Sequence, residues 1–314
     1  MSVLDQIVKA YDIRGTVHDE LNADVAHALG VGFAVFVRGQ HASQVVVARD
    51  MRPSGPGLVE AFTRGLTQYG VDVVDIGLAS TDLKYFASGR LGVPGAMFTA
   101  SHNPAGYNGV KLCLSGARPV GADSGLADIK ATAQLVLDGT PPEAAASNAG
   151  VRTETSLLDE FVDHVLTFID PADIGPLRVV ADTANGMGGL VVPAVLDRLA
   201  QVDYEIMYPE LDGTFPNHPA DPLQPANQRD LRARVVAGGF DLGLAFDGDA
   251  DRVFVVDEHG VGLSGSTTTA LLAVATLRQH PGATVLHNLI CSRTVPEVVT
   301  EHGGTPVRTR VGHS

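Results

Sequence analysis

The sequence has little cysteine, few basic residues and no long apolar run, and each shortage excludes a class of protein. Its two cysteines, Cys113 and Cys291, lie far apart without a CxxC spacing, so neither a disulfide nor a zinc site is expected. No apolar stretch approaches the length of a membrane span. The segment 1–15 lacks the basic region, apolar run and small-residue cleavage site of an export signal. These features predict a cytoplasmic protein with reduced thiols and no membrane partner.

The charge balance is acidic, with 36 Asp and Glu residues against 22 Lys and Arg residues and a formal net charge of −14. This balance argues against a nucleic-acid partner, because binding a phosphate backbone requires a concentrated Lys/Arg surface. It also means that a phosphorylated ligand would need local basic residues or a divalent cation to offset repulsion. A metal site is therefore worth seeking in the sequence.

Short β-rich runs alternate with longer segments of helical spacing, which predicts an α/β fold of several domains with parallel or mixed sheets. Helices are predicted between the first two strands, where apolar residues recur from Leu58 to Leu66, and after Leu157, Gly189 and Ser266. The strands are predicted at 43–50, 71–77, 95–100, 109–114, 177–183, 204–208, 241–246, 252–257 and 284–289.

The clearest boundary is the segment 138–150, DGTPPEAAASNAG, which is rich in Pro, Ala, Ser and Gly and has little periodicity. We therefore expect a first unit over 1–150, a second over 151–257 and the first part of a third over 258–314. The architecture recurs from unit to unit, but no short sequence repeat accompanies it.

One candidate site is the stretch TASHNPAGYNGVKL, residues 99–112. The apolar run before it reads as a strand, and the Asn-Pro and Asn-Gly pairs within it require the chain to turn more than once. Ser101 thus lies on irregular backbone at the end of a strand, where open α/β sheets place ligands. A loop serine that only satisfies neighbouring amides is the plain alternative to a nucleophile or phosphate carrier.

The second candidate site is the stretch LAFDGDADRVFVV, in which three aspartates alternate, Asp247, Asp249 and Asp251. Carboxylate oxygens gathered in this way suit Mg²⁺ or Ca²⁺. A calcium EF-hand is excluded because Arg252 stands where that loop needs glycine and the flanks read as strands. A solvated acidic turn is the alternative, but such a turn rarely needs three aspartates between two apolar strands.

The two stretches complement each other if Ser101 carries a phosphoryl group. Mg²⁺ commonly takes phosphate oxygens as ligands in addition to carboxylates. The metal ion and Arg252 would then offset the phosphate charge, and Lys111 would return toward the serine across a hairpin.

These motifs resemble those of a known family, the α-D-phosphohexomutases that include phosphomannomutases and phosphoglucomutases. TASHNPAGYNGVK is similar to the family's phosphoserine loop and FDGDADR to its metal loop. KAYDIRG (9–15) resembles the amino-terminal motif and DGTFPNHPADPLQP (212–225) a segment of the second domain. The resemblance implies successive α/β domains around a central active-site cleft.

The resemblance also implies a reaction of carbohydrate metabolism. A phosphoserine donates its phosphoryl group to a hexose 1- or 6-phosphate, and a hexose 1,6-bisphosphate intermediate returns the other one. It implies Mg²⁺ on Ser101 and the three aspartates, and it adds further site residues around them. These are Tyr11, Arg14, His102, Asn103, Lys111, Arg252 and His313. The alternative interpretation of Tyr11 and Arg14 is that they tether the amino terminus. The alternative interpretation of Lys111 is a solvated lysine on a strand.

Two departures from the family pattern accompany these expectations. Many relatives carry lysine where this chain has Ile290. The sequence also ends before the family's sugar-recognition loop and fourth, phosphate-binding domain, so we expect a chain that is incomplete and poorly active alone.

A phosphoglucosamine mutase and a non-catalytic sugar-phosphate-binding protein remain alternatives. A phosphatase of Asp-x-Asp-x-Thr type is disfavoured because position 251 is aspartate. The sequence leaves the preferred hexose and the oligomeric state open.

Overall fold

A computed structural model describes residues 2–143 and 148–311 of the chain. The helices are α1 (Val3–Ile7), α2 (Ala23–Gly39), α3 (Gly55–Gln68), α4 (Thr81–Leu91), α5 (Leu126–Leu137), α6 (Leu158–Leu166), α7 (Gly188–Leu196), α8 (Arg229–Gly238), α9 (Gly265–Gln279) and α10 (Thr294–Glu301). The strands are β1 (Ile13–Thr16), β2 (Gln44–Arg49), β3 (Asp72–Leu78), β4 (Gly95–Phe98), β5 (Tyr107–Leu114), β6 (Arg118–Pro119), β7 (Arg152–Glu154), β8 (Leu177–Asp182), β9 (Val202–Met207), β10 (Leu242–Phe246), β11 (Val253–Asp257), β12 (Thr284–Asn288) and β13 (Thr305–Thr309).

The first sheet is mixed and has the strand order β1-β5-β4-β2-β3-β7, with β6 beside β5. Strands β2, β3, β4 and β7 run parallel, whereas β5 is antiparallel to both β1 and β4. The chain therefore reverses between β4 and β5, and residues 99–106 form the connecting loop. Strand β7 lies beyond residue 150, the expected end of the first unit, yet it pairs with β3 of this sheet.

The second sheet has the order β11-β10-β8-β9, with β8, β9 and β10 parallel and β11 antiparallel. The hairpin between β10 and β11 carries the aspartate loop, residues 247–252. A third sheet pairs β12 and β13 in parallel, with α9 and α10 packed against it. Mixed sheets in successive α/β units confirm the predicted fold class.

Two hydrophobic clusters cover the faces of the first sheet. One lies under α2, α3 and α5 and includes Phe33, Phe62 and Ile129. The other joins the first two units, because Val46 and Met97 of the first sheet share it with Val191 of α7. This common cluster holds the two sheets against each other and brings their hairpin loops to one place.

Candidate active site

Ser101 lies in the loop between β4 and β5, and its backbone is in the left-handed region with φ of 50°. A non-glycine residue seldom adopts this conformation, so the surrounding structure must hold it. The Ser101 amide donates to Thr99 Oγ1 at 2.9 Å, and the residue is only 3% exposed. The loop between β4 and β5 thus contains a buried serine with a constrained backbone.

The aspartate loop touches this serine directly. Ser101 Oγ donates to Asp247 Oδ2 at 2.7 Å, and an Arg252 terminal nitrogen donates to Ser101 Oγ at 2.5 Å. Gly248 makes the approach possible, because a Cβ there would lie 2.4 Å from the Ser101 carbonyl oxygen. The structure therefore brings together the two stretches that the sequence identified separately.

The three aspartates form a compact oxygen cluster, with one oxygen of each within 4.8 Å of the others. Asp249 Oδ1 is buried and has no hydrogen-bond partner within residues 2–143 and 148–311. A buried carboxylate oxygen without a partner is costly unless a cation occupies the adjacent space. Hard oxygen donors of this kind fit Mg²⁺.

Lys111 and Thr81 hold one oxygen each of Asp249 and Asp251, whereas Arg252 binds both oxygens of Asp247. Lys111 Nζ donates to Asp249 Oδ2 and to Asp251 Oδ2, both at 2.7 Å. Thr81 Oγ1, at the start of α4, donates to Asp249 Oδ2 at 2.6 Å. The sequence predicts that Lys111 returns toward Ser101. In the structure Lys111 instead binds the aspartates.

The pKa values of two aspartates of the site shift in opposite directions, because burial and repulsion dominate at Asp247 and the Lys111 ammonium dominates at Asp249. Burial, with the charges of Asp249 and Asp251, raises the pKa of Asp247 to about 7. Asp249 is also buried, but the Lys111 ammonium beside it lowers the pKa of its carboxyl below the ordinary value. Burial and the neighbouring Arg252 guanidinium lower the pKa of His102. The site therefore needs cations to keep its carboxylates charged together.

Further residues predicted for the site lie around the serine loop. Arg14 donates to Asn103 Oδ1 at 2.7 Å and to Asp12 at 2.6 Å. His102 Nδ1 lies 2.7 Å from a terminal nitrogen of Arg252 and 3.4 Å from Ser101 Oγ. Tyr11 is farther out and donates to the Val311 carbonyl at 3.0 Å. His313 lies outside the described residues.

Sequence reasoning missed Arg52 and Thr81, which both contact the site. Arg52 is fully buried and donates to backbone carbonyls of the serine loop. Its sequence signal is the segment RDMRPS, residues 49–54, in which charged residues follow the apolar run of β2. Thr81 is the first residue of α4 and gave no signal, since its partner Asp249 is 168 positions away.

An open cleft of about 640 Å³ lies beside the serine loop. His102, Asn103 and Pro104 line one side, and Phe215 and Asp221 of the 212–225 segment line the other. The cleft has the size of ordinary small-ligand sites.

In the described part of the chain no helix combines the length and apolar character needed to cross a bilayer.

Comparison with known families gives matches along most of the chain. Three family models match in sequence order, described as phosphoglucomutase/phosphomannomutase alpha/beta/alpha domain I at residues 5–134, domain II at 159–260 and domain III at 264–314. A phosphomannomutase of Salmonella montevideo is 40% identical over 311 residues, which cover 98% of this chain and 67% of that protein.

Other relatives agree with these matches. A phosphomannomutase/phosphoglucomutase of Pseudomonas syringae is 37% identical, with 99% of this chain and 64% of that protein covered. The crystal structure of a phosphoglucomutase/phosphomannomutase family protein from Burkholderia thailandensis superposes with a TM-score of 0.88 at 34% identity, covering 100% of this chain and 67% of the other. The chain thus spans about two thirds of the length of these relatives.

Proposed function

Because the chain belongs to the phosphoglucomutase/phosphomannomutase family and its function is that of a phosphohexomutase, we propose that Ser101 carries the transferred phosphoryl group. The observation that carries this proposal is the meeting of two loops from different sheets. Ser101 Oγ lies within hydrogen-bond distance of both Asp247 and Arg252, beside an oxygen cluster that fits Mg²⁺.

The proposed reaction has two phosphoryl transfers. First the bond between Ser101 Oγ and phosphorus breaks while a hydroxyl oxygen of the hexose phosphate bonds to the phosphorus. The proton lost by that hydroxyl is balanced by the proton that the released Ser101 Oγ takes up. The resulting hexose 1,6-bisphosphate turns in the cleft and returns its other phosphoryl group to Ser101. The named relatives favour mannose and glucose phosphates as substrates, and phosphoglucosamine remains the alternative sugar.

The residues of the site divide the work of positioning and charge stabilisation. Arg252 donates to Ser101 Oγ and is placed to compensate the phosphate charge. Lys111 holds Asp249 and Asp251 together, and Asn103 connects Arg14 to the serine loop. Mg²⁺ held by Asp247, Asp249, Asp251 and the phosphoserine would stabilise negative charge on the transferring group.

The test is phosphorylation of the purified chain by glucose 1,6-bisphosphate with Mg²⁺, followed by intact mass and peptide mapping. We expect one phosphoryl group on Ser101, and none on the Ser101→Ala protein. Ser115→Ala is the matched control, because Ser115 Oγ only donates to the Gly92 carbonyl on the surface. Equal phosphorylation of the Ser101→Ala protein would contradict the proposal.

A coupled assay with mannose, glucose and glucosamine 1-phosphates then identifies the preferred sugar. Conversion of the mannose or glucose ester supports the proposed substrates, whereas conversion of the glucosamine ester alone supports the alternative. A chain that neither accepts phosphate on Ser101 nor converts any ester would contradict the proposed role of Ser101 and favour the non-catalytic sugar-phosphate-binding alternative.

A further inference from the structure

Arg52 has every N–H donor of its side chain in use although the side chain is fully buried. A guanidinium carries five N–H donors. Arg52 Nε donates to Asp50 Oδ2 at 3.1 Å, and the two terminal nitrogens donate to four backbone carbonyls. Its side chain is 0% exposed, so water provides no alternative partners.

Three of the four carbonyls belong to the serine loop, residues 99–106, and the fourth is that of Tyr107, the first residue of β5. One terminal nitrogen donates to Ser101 O at 2.9 Å and to Asn103 O at 2.8 Å. The other donates to Pro104 O at 2.8 Å and to Tyr107 O at 2.9 Å. One planar group therefore ties the serine to two other points of the loop and to the start of β5, and no single lysine can reproduce this fork.

The loop needs such support because Ser101 has a positive φ of 50°. An isolated loop would relax this backbone toward a commoner conformation. The carbonyl of Ser101 is held by Arg52 while its hydroxyl is held by Asp247 and Arg252. The direction in which Oγ points is thus set from both sides.

The 212–225 segment of the second unit covers Arg52. The Phe215 ring lies 5.3 Å from the Arg52 guanidinium carbon. A Cβ at Gly213 would lie 2.5 Å from Arg52 Cα. This contact gives a role to a sequence motif that the phosphoryl-transfer residues do not use.

We propose that Arg52 is a positioning residue that holds the Ser101 backbone in the orientation required for phosphoryl transfer, with Gly213 and Phe215 closing over it. The proposal rests on the proposed function for its kinetic consequence, but the effect on loop structure is independent of it. Asp50 orients the guanidinium through Nε and through the Arg52 amide.

The first experiment compares Arg52→Lys with Arg178→Lys. Arg178 is the control, because it also donates to two backbone carbonyls and stacks on a phenylalanine, but its side chain is half exposed and these partners belong to the second unit. At saturating glucose 1,6-bisphosphate we expect phosphorylation of Ser101 to slow about 100-fold in Arg52→Lys, with the half-saturating concentration little changed. The Arg178→Lys rate should equal the wild-type rate.

Hydrogen exchange of the 99–109 peptide measures loop structure and does not depend on phosphoryl transfer to Ser101. The amides of Thr99, Asn103 and Tyr107 donate within this region, so we expect faster exchange there in Arg52→Lys and not in Arg178→Lys. Wild-type exchange in this peptide would overturn the proposal. Faster exchange with an unchanged transfer rate would also overturn it, because Arg52 would then only stabilise the loop.

If the Arg52→Lys protein does not fold, Gly213→Ala provides a second test of the positioning role of Arg52. The added Cβ displaces Arg52 without removing a donor, so we expect the same faster loop exchange and slower phosphorylation. Gly175→Ala is its control, since nothing lies within 4 Å of a Cβ there. Unchanged exchange in Gly213→Ala would overturn the proposal. A wild-type chain that takes no phosphate on Ser101 contradicts the proposed function instead, and the exchange measurement still tests the loop.

Discussion

Two buried lysines show how the same charge behaves in different surroundings. Lys111 donates to two carboxylates, and these partners raise its pKa above the ordinary value despite burial. Lys84 is fully buried, and its ammonium lies 3.6 Å from Cys113 Sγ and 3.5 Å from the centre of the Tyr85 ring. Burial lowers the pKa of Lys84 to about 8. Lys111 therefore serves the site, whereas Lys84 costs stability.

We expect Lys84→Met to raise the free energy of unfolding at pH 7 by about 1–3 kcal/mol. The lysine pKa is lower in the folded chain, at about 8, than the ordinary 10.5, so the unfolded chain binds more protons between these values. The free energy of unfolding of the wild-type chain therefore rises with pH through this window. The difference in free energy of unfolding between the Lys84→Met protein and wild type should shrink accordingly. Urea unfolding at several pH values measures this.

The control for this prediction is Lys130→Met, because Lys130 is partly exposed and pairs with Asp5 on the surface. Its effect on unfolding should be small. A Lys84→Met protein that is no more stable than wild type at pH 7, or whose advantage is the same at pH 7 and pH 11, would contradict the argument.

At the scale of elements, the first turn of α4 connects the two sheets. Ser80 caps the helix by accepting from the Leu83 amide at 3.1 Å. The next residue, Thr81, donates its hydroxyl to Asp249 at 2.6 Å and its amide to the Asp249 carbonyl at 3.1 Å. A helix of the first unit thus orients an aspartate of the second.

We expect Thr81→Val to weaken Mg²⁺ binding about tenfold while leaving the fold intact, because groups that orient a metal ligand affect affinity by this order. Isothermal titration calorimetry with Mg²⁺ measures the change. Thr63→Val is the matched control, since Thr63 Oγ1 is buried without a hydrogen-bond partner in the described ranges. Equal Mg²⁺ affinity in the Thr81→Val and Thr63→Val proteins would show that the helix does not support the site.

At the scale of the whole molecule, the site joins units that also share a hydrophobic cluster. Val46 and Met97 of the first sheet pack in one cluster with Val191 of the second unit. The aspartate loop and serine loop meet at the edge of this shared core. The Mg²⁺ ion proposed for Ser101 and the three aspartates would therefore contact both units and offset part of a net charge of −14.

We expect Mg²⁺ to raise the unfolding temperature, because it binds the folded chain and the three carboxylates separate on unfolding. At about 100 times Kd the added stability is about 2.7 kcal/mol. Differential scanning calorimetry against NaCl of equal ionic strength measures it. Asp249→Asn should lose the shift, and Asp163→Asn, on an exposed surface pair, should keep it. The same shift with NaCl would contradict a specific site.

Sequence reasoning predicted most strands well but missed several helices. The predicted strands at 43–50, 177–183 and 241–246 agree with the observed ones within a residue or two. Helix α2 was missed because it is buried between α3 and α5 and is apolar on most sides, which removes the amphipathic pattern. Its packing relies on Gly30, where a Cβ would lie 2.2 Å from the Phe62 carbonyl oxygen.

The sequence by itself determined the α/β class and the two loops that form the candidate site, because turn residues, strand patterns and alternating aspartates are local signals. Only the tertiary structure decided which groups touch. Arg52 reaches the serine loop across about fifty positions of chain, Thr81 reaches Asp249 from helix α4 of the first unit, and Lys111 binds aspartates in place of the serine. These contacts depend on how the two sheets pack around their shared core, which no local pattern records.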